Sequence, residues 1–457
     1  METTVGLDIG TTSVKAVAAD GDGRVVARTQ VRHAVKVPTA GRFEHDPGEV
    51  WRDNVWVALR RLGDPTDLGV RGVNVSAMVP SLAAFGSGGS SEPLSRGLLY
   101  GDERGSRYKT PDNDEGEYQA FLETLAGDHP SSAHFWPAQA CANHALGGVG
   151  AIDTTTCATT TPVWFGTSWN SRVLDEIGVR AATMPQVAEL GAQIGALGDH
   201  PDVALAAGSI DAMGEQIVAG ADELGDVLVI LGTTLITWAA IDDWRTIDGL
   251  WTIPSMTAPN MLVGGPSNAG GLFVGWVRDL VGDGPGDEHH GLDPAAIPLW
   301  LPYVRGERVP LHDTGRRAEL HGGDLSHGAA AVRRAAFEAS GFTVRRVLDQ
   351  AVAGGAFGDG PSPRRIVATG GGVRVPAWTQ SLADATGLPV DVVEVPEGGA
   401  LGSAWFARMA AGLEPDGMAG APRWARLGGR VEPDPVWAAQ TADRYTRWSA
   451  LVDRSVS

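Results

Sequence analysis

The sequence contains little cysteine: Cys141 and Cys157 are the only two in 457 residues. Two cysteines cannot build a disulfide framework, and no histidine stands at zinc-ligand spacing from either, so a stapled secreted fold and a cysteine-ligated zinc site are both excluded. A reducing, cytoplasmic setting is expected. Positive charge is scarce as well. With 36 Lys and Arg against 55 Asp and Glu the net charge is −19, which argues against nucleic acid as a partner, because phosphate backbones demand clustered cations. Long apolar runs are missing too. The most apolar stretch, 227–241, is interrupted by Gly232, Thr233, Thr234 and Thr237 and falls short of the roughly 20 residues of a spanning helix. It reads as two buried strands around a turn, and no membrane partner is expected. Met1-Glu2-Thr3-Thr4 leads straight into a strand without the basic and apolar segments of a signal peptide, so no export is expected. Finally, the chain has neither G-x-x-x-x-G-K-[ST] nor a well-placed G-x-G-x-x-G, which removes the main support for a P-loop or a Rossmann reading.

What the chain does have is three glycine-rich turns in a fixed order: Asp8-Ile9-Gly10-Thr11-Thr12-Ser13, Leu231-Gly232-Thr233-Thr234 and Thr369-Gly370-Gly371-Gly372. Each directly follows a β-type apolar run. Such a turn lets the backbone approach a phosphate and offers N–H and hydroxyl donors to its oxygens. Any one of them is also an ordinary hairpin or strand-to-helix turn. Taken in order they read as a split nucleotide site.

A chain of this length suggests two domains of about 200 residues each, and an apolar content of 43% is enough to fill two cores. Residues 5–9, 13–19 and 24–30 form an antiparallel meander turned at Asp20-Gly21-Asp22-Gly23. A helix is expected from Pro47 to about Leu62, strands over 70–75 and 97–100, and a surface helix with loose flanks in the polar segment 108–134. The strand 203–207 runs through Gly208-Ser209-Ile210-Asp211 into a helix over 212–221. At Val227 the pattern of strand, Gly-Thr turn and strand begins again, which places a domain boundary near residue 222. A Pro/Gly-rich connection over 413–433 leads to a last helix over 436–452. Asp287-Glu288-His289-His290, in the polar loop 282–291, has metal-ligand chemistry, but acidic and polar residues in a surface loop are usually just solvated, which is the preferred reading. Gly265-Pro266-Ser267-Asn268-Ala269 lacks the second Gly of a nucleophile elbow, so serine hydrolysis is not expected.

In these residues the chain resembles the FGGY carbohydrate kinases, the sugar-kinase branch of the actin-like ATPase fold, over nearly its whole length. Beyond the three turns, Asn268-Ala269-Gly270-Gly271 with Trp276-Val277-Arg278-Asp279 is similar to the family's helix at the adenosine pocket. Leu301-Pro302-Tyr303 and Gly306-Glu307-Arg308-Val309-Pro310 make the most specific match. His327, Arg334-Ala335, Glu338, Pro376-Ala377-Trp378 and Ala400-Leu401-Gly402-Ser403-Ala404 continue it. Departures fall on the sugar side. Ala212 follows Asp211 where xylulokinases usually have Asn, Ala77-Met78-Val79 stands where Gln-Met-His is usual, and Tyr100 replaces a Trp ahead of Asp102 and Arg104.

The resemblance implies an α/β protein of two actin-like (ribonuclease H-like) domains with a nucleotide cleft between them: residues 1–222 sugar-binding and 223–457 nucleotide-binding. The activity it implies is ATP- and Mg²⁺-dependent phosphorylation of a hydroxyl on a small sugar, sugar acid or polyol, with a pentulose as the leading substrate. A homodimer is compatible with it. The alternative is a catalytically silent sugar- or nucleotide-binding protein of the same fold. Phosphoryl transfer asks the protein for alignment and charge stabilisation more than for covalent chemistry. Asp8 is expected to hold Mg²⁺ through water, Thr11, Thr12 and Ser13 to face the β- and γ-phosphates, and Gly232 and Thr233 to close on the phosphates. Gly271, Gly371 and Gly372 would flank the adenosine, and Met78, Val79, Tyr100, Asp102, Arg104 and Asp211 would meet the sugar. By local sequence alone Asp211 reads first as a helix cap; the resemblance across the whole motif set reverses that preference and makes it the base. Lys15 is either a phosphate cation or an outward, solvated side chain of an alternating strand. Trp136, Trp164 and Trp169 are core residues or cleft lining.

Overall fold

The computed structural model describes residues 2–87, 92–108, 116–284 and 291–454. The chain divides into two compact units, Met1–Val218 with Glu397–Trp424, and Ala219–Pro396 with Ala425–Ser457. The first unit is not continuous in sequence, because Glu397–Trp424 packs with it. Small residues are the reason. A Cβ added at Gly6 would sit 1.9 Å from the Ala400 carbonyl oxygen, and one at Gly72 2.5 Å from that of Ala407. The helix Gly398–Ala410 therefore lies almost backbone to backbone on the sheet of the first unit.

That sheet orders its strands Gln193–Leu197, His200–Ala206, Val70–Ala77, Thr3–Ile9, Ser13–Ala19 and Val25–Arg32, with Ser209–Ile210 also paired to Val70–Ala77. Thr3–Ile9 is buried along its whole length because both faces are covered. Strand alternation sorts its side chains. Val5, Leu7 and Ile9 enter a core with Val55 and Ala58 of the helix Asn54–Leu62. Thr4, Gly6 and Asp8 face the helix Gly398–Ala410, where Thr4 Oγ1 donates to the Ala404 carbonyl at 2.9 Å. Val70–Ala77 repeats the scheme, with Gly72, Asn74 and Ser76 toward that helix and Val73, Val75 and Ala77 in the core. The expected helix at Pro47 begins as a π-helical segment, Pro47–Asp53, before turning α-helical.

Two expectations need correction here. The helix Glu117–Asp128 is not a loose surface element: Tyr118, Phe121, Leu122 and Leu125 are buried in a second cluster with Phe135 and Leu174. Its polar composition hid an apolar stripe at helical spacing. The segment after Leu413 is likewise more than a connection, since it forms a 3₁₀ helix, Gly417–Trp424, and a strand, Leu427–Val431. Trp424 anchors it, buried edge-on against Trp405 with its Nε1–H donating to the Gly21 carbonyl at 3.2 Å.

The second unit holds a sheet ordered Trp251–Pro254, Met261–Ser267, Leu235–Ile241, Asp226–Leu231, Arg365–Thr369, Val390–Val393 and Leu427–Val431. Arg334 and Glu338, on the helix Ala329–Ala353, tie its helices together. The Arg334 guanidinium bonds Glu338 at 3.1 Å and Asp384 at 2.8 Å and stacks 4.1 Å from the Trp437 ring centre, while Arg444 bonds Glu338 at 2.7 Å. Buried charges of both signs satisfy each other here, so these residues are structural. Among the described residues no helix is long and apolar enough to cross a membrane.

Candidate active site

In the first unit three strand ends lie side by side. Val70–Ala77 is the middle strand, parallel to Thr3–Ile9 on one side and to Ser209–Ile210 on the other, with Ile9 and Ile210 both level with Ala77. The chain leaves these ends as Gly10, Met78 and Asp211. Carboxyl ends of neighbouring parallel strands are where open α/β sheets place their ligands. Gln139 bridges two of them, its Nε2 donating to the carbonyls of Ala77 and Ser209 at 3.2 Å each.

Asp8 and Lys15 face each other across the hairpin, with Nζ 3.6 Å from Oδ2. Lys15 is therefore not the outward, solvated side chain. Burial pushes its ammonium pKa down, but Asp8, Glu215 and Glu397 outweigh that and hold it above its ordinary value. Burial raises the Asp8 carboxyl, against the pull of Lys15. The other oxygen, Asp8 Oδ1, is buried without a hydrogen-bond partner. Asp211 opens the helix Asp211–Ala219, half-buried, with its Oδ1 accepting from the Ala212 N–H at 2.8 Å. Burial first and the Asp8 charge second push its pKa up to about 6. That is far from the behaviour of an exposed cap, and a carboxylate near the operating pH suits a proton acceptor.

The turn after Asp8 is braced from below. Gly10 N–H donates to the Ser13 carbonyl at 3.0 Å, and Ser13 Oγ accepts from Gln30 Nε2 at 2.9 Å. Thr11 is buried, its hydroxyl 2.9 Å from that of Tyr100. Thr12 is exposed. Of the residues expected at the sugar, Met78 is buried in the core and Val79 keeps partial access. Tyr100 is engaged with Thr11. Asp102 is fully committed: Arg104 Nε and Nη2 bond its two oxygens at 2.7 Å, and the backbone N–H groups of Phe43 and Arg104 donate to it at 2.7 and 3.0 Å. Arg104 also bonds Glu44 at 2.8 Å. Asp102 thus orients Arg104 and has little capacity left for a ligand.

Trp136 lies in the core against Phe85, His134 and His144. Trp164 packs edge-on against Trp169 and lines a groove of about 670 Å³ with Phe165, Thr154, Thr161 and Glu189. The helix Thr154–Ala158, which forms part of that groove, packs against Ser209–Ile210.

In the second unit the remaining turns come together. The Gly271 N–H donates to the Gly232 carbonyl at 2.8 Å and the Leu272 N–H to that of Thr233 at 3.1 Å. A Cβ at Gly271 would lie 2.7 Å from the Gly232 oxygen, and one at Gly370 2.9 Å from the Leu231 oxygen. Gly372 is closed in by Trp378 and Leu231, whereas a Cβ at Gly371 meets nothing within 4 Å. Gly232, Thr233, Gly271 and Gly371 thus share one surface, and Gly371 is open on it. Beside this surface lies Glu307, which accepts from Ser267 Oγ and the Asn268 N–H at 2.8 Å and from the Arg308 N–H at 2.7 Å; burial raises its pKa to about 7. Ser267 is therefore a donor to a carboxylate, not a nucleophile. Asp287–His290 lie outside the described residues. Among the described ones no group of three or more His, Cys, Asp or Glu could hold a metal ion, although Mg²⁺ that keeps its waters needs only one or two protein carboxylates.

Residues 3–121 match the family model of the N-terminal domain of the FGGY carbohydrate kinases, and residues 227–411 that of the C-terminal domain. The chain is 24% identical to a gluconokinase of Bacillus subtilis over 452 residues, covering 87% of this chain and 86% of that one. It is 25% identical to a glycerol kinase of Roseobacter denitrificans, covering 98% of each. The structure of a ligand-bound xylulose kinase from Lactobacillus acidophilus superposes with a TM-score of 0.79 at 20% identity, covering 100% of this chain and 99% of the other. The protein belongs to the FGGY family of carbohydrate kinases, phosphotransferases that use ATP and act on an alcohol group of a sugar or polyol.

Proposed function

We propose that Asp211 accepts the proton of the acceptor hydroxyl as that oxygen attacks the γ-phosphorus of ATP. The observation that carries this is the placement of Asp211 at a strand end beside the Asp8–Lys15 pair, with its pKa raised to about 6. At pH 7 to 8 it is mostly ionised, yet a far better base than an exposed carboxylate. The Ala212 N–H fixes one oxygen and leaves the other for the hydroxyl. In the first unit Thr12 and the backbone of the Gly10–Thr12 turn present donors suited to phosphate oxygens; in the second, Gly232 and Thr233 present donors of the same kind. Gly271 and Gly371 lie against the adenosine, whereas Gly372, closed in by Trp378 and Leu231, supports the turn from behind.

The residues fit Mg²⁺: the orphaned, buried Asp8 Oδ1 is an acceptor awaiting a donor such as a metal-bound water. When bound, the ion neutralises charge on the phosphates. Lys15 pulls the Asp8 carboxyl toward its ionised form, against the effect of burial. For the acceptor we propose a polyhydroxylated sugar, sugar acid or polyol met by Val79, Arg104 and Asp211, with a pentulose as the first candidate. Val79 and Ala212 replace polar side chains of xylulokinases, so a substrate other than D-xylulose is expected to be preferred. Gluconate and glycerol are the other natural candidates, because the relatives named above act on them.

The test is ADP release with Mg·ATP across pentuloses, hexuloses, aldonates and polyols. One acceptor should saturate well above the rest. No turnover with any, together with intact nucleotide binding, would establish the silent binding protein instead. Micromolar saturation by D-xylulose would restore a plain xylulokinase.

A further inference from the structure

His45 plays no part in the chemistry above, yet it reaches the backbone of the first phosphate turn. It is fully buried, with its Nε2 2.9 Å from the Thr11 carbonyl oxygen, while Trp51 Nε1–H donates to its Nδ1 at 3.1 Å. An indole nitrogen is only a donor, so Nδ1 must be the acceptor. The ring is then the neutral tautomer with its proton on Nε2, and that proton is given to Thr11. Trp51 therefore dictates which nitrogen of His45 carries the proton. Burial of both His45 and its edge-on neighbour His33, 4.7 Å away, keeps the rings neutral, with pKa values down at about 4.

The consequence lies on the other side of the same peptide group. In a planar trans peptide the carbonyl and the N–H point in opposite directions. Tying the Thr11 carbonyl to His45 aims the Thr12 N–H away from the protein interior, at the exposed tip of the turn. The next carbonyl, that of Thr12, is tied in the same way by the His33 backbone N–H at 3.0 Å. The Thr11 hydroxyl is held by Tyr100. The Thr11 and Thr12 carbonyls thus each have a protein donor, whereas among the described residues the Thr12 N–H has no protein acceptor.

We propose that His45, with its tautomer set by Trp51, is a positioning residue that aims the Thr12 N–H at the phosphates of the nucleotide. This rests on the Gly10–Thr12 turn being a phosphate-binding turn. The ring reaches the turn through the Thr11 carbonyl, and its effect passes through one peptide plane. The arrangement also joins the turn to the helix that begins at Pro47, so the Trp51 indole and the phosphate donor form one rigid unit.

Two substitutions separate positioning from packing. In His45→Gln the amide N–H can take the place of Nε2–H toward Thr11, but the Trp51 acceptor is lost. In His45→Asn the amide oxygen can replace Nδ1 and accept from Trp51, but nothing reaches Thr11. Affinity for the Mg²⁺ complex of the non-hydrolysable ATP analogue adenylyl imidodiphosphate and for adenosine is measured by calorimetry, and folding by thermal unfolding. We expect His45→Asn to weaken the analogue about tenfold while adenosine changes less than twofold, and His45→Gln to stay within threefold of the unmodified protein for both ligands. Equal losses in the two variants, loss of adenosine affinity in step with stability, or an unaffected His45→Asn would each overturn the proposal. If the unmodified protein bound neither ligand, the nucleotide reading would fall with it; if it bound both and the variants matched it, only the role of His45 would fall.

Discussion

Two hairpins of the same construction teach different lessons. In the first unit Thr3–Ile9 pairs antiparallel with Ser13–Ala19 and parallel with Val70–Ala77; in the second Asp226–Leu231 pairs antiparallel with Leu235–Ile241 and parallel with Arg365–Thr369. Each turns through Gly and Thr. One rung below the turn the first hairpin pairs Asp8 with Lys15, whereas the second pairs Ile230 with Ile236. The scaffold is shared and the chemistry is not. The first hairpin stands next to Asp211 and can tune a proton acceptor, while the second offers backbone and small side chains only. This asymmetry suits a kinase, which needs one set of ionised groups where bonds change and an uncharged, close-fitting surface where a nucleotide rests.

The largest effect expected from breaking this asymmetry is at Asp211. Asp211→Asn keeps an acceptor for the Ala212 N–H but removes the base, so kcat should fall by about 10²-fold or more, with thermal stability and nucleotide affinity retained. A mere helix cap would tolerate Asn almost silently. Steady-state rates with an acceptor found by the ADP-release screen, and nucleotide titration measured separately, decide between them. The sign of the pH dependence follows from the raised pKa: the base must be ionised, so kcat/KM should fall as pH drops through about 6. A rate flat down to pH 4.5 would remove Asp211 from this role.

Next in size is the rung itself. Lys15→Met leaves Asp8 buried without its cation, and breaking such a pair costs about 3–5 kcal/mol. The corresponding apolar trim, Ile230→Val, should cost about 1 kcal/mol. The pH dependence of the Lys15→Met loss has a definite sign. Without Lys15 the folded-state pKa of Asp8 rises further, so the protonated folded form is the favoured one; stability is fully present below the ordinary value of 3.8 and is lost as pH rises through the folded value. Denaturant unfolding at pH 5 and pH 8 measures this. A Lys15→Met variant no weaker at pH 8 than at pH 5 would mean that the pair is an incidental surface contact.

The comparison also shows what can be read from residues alone. Both hairpins were legible because a β-type run, a Gly-Thr turn and a second β-type run are local, and so was the strand leading to Asp211. Long-range packing was not. Nothing in Gly398-Gly399-Ala400-Leu401-Gly402 announces that this helix covers the first sheet, since the signal is split between those small residues and Gly6 and Gly72, more than 300 positions away. Lys15 could not be decided because alternation says which face a residue takes but not what covers that face. Asp102 and Arg104 were grouped at the sugar by resemblance, but only the structure shows that the aspartate is spent on the arginine. His45 and Trp51 gave no signal beyond lying next to a helix start. The buried aromatic stripe of Glu117–Asp128 was masked by the acidic and polar residues around it.

A smaller effect sharpens the contrast from the second unit, where a raised carboxyl, Glu307, lies away from the hairpin. Glu307 has a folded pKa of about 7 against an ordinary 4.5. A raised carboxyl favours the folded state while protonated, so this stability is present below pH 4.5 and is lost as pH rises through 7, by up to about 3 kcal/mol. Glu307→Gln keeps one oxygen for the Asn268 and Arg308 N–H groups and turns an N–H₂ toward Ser267, whose hydroxyl can reverse its role. Unfolding free energies across pH 5 to 8 should therefore fall less steeply in Glu307→Gln than in the unmodified protein. Parallel curves would show that the three donors already hold Glu307 ionised.

The smallest effect on stability, and the most telling for the uncharged surface, is expected at Gly371. Its neighbours are tightly constrained: Gly370 has φ +87°, and a Cβ at Gly372 would lie 2.6 Å from the Trp378 ring. Gly372→Ala should thus cost about 1–3 kcal/mol through overpacking. Gly371 is exposed, has no positive φ and would give a Cβ free space. Nothing in the fold requires glycine there. If the absence of a side chain serves a flat contact with adenosine, Gly371→Trp should unfold within about 0.5 kcal/mol of the unmodified protein and yet lose at least tenfold in affinity for adenosine and for ADP alike. Calorimetry with both ligands is the check, because a residue acting on the phosphates would weaken ADP and spare adenosine. Unchanged affinity for both in a stably folded Gly371→Trp would take this turn out of the nucleotide site and leave nucleotide contact in the second unit to the Gly232 hairpin and Gly271.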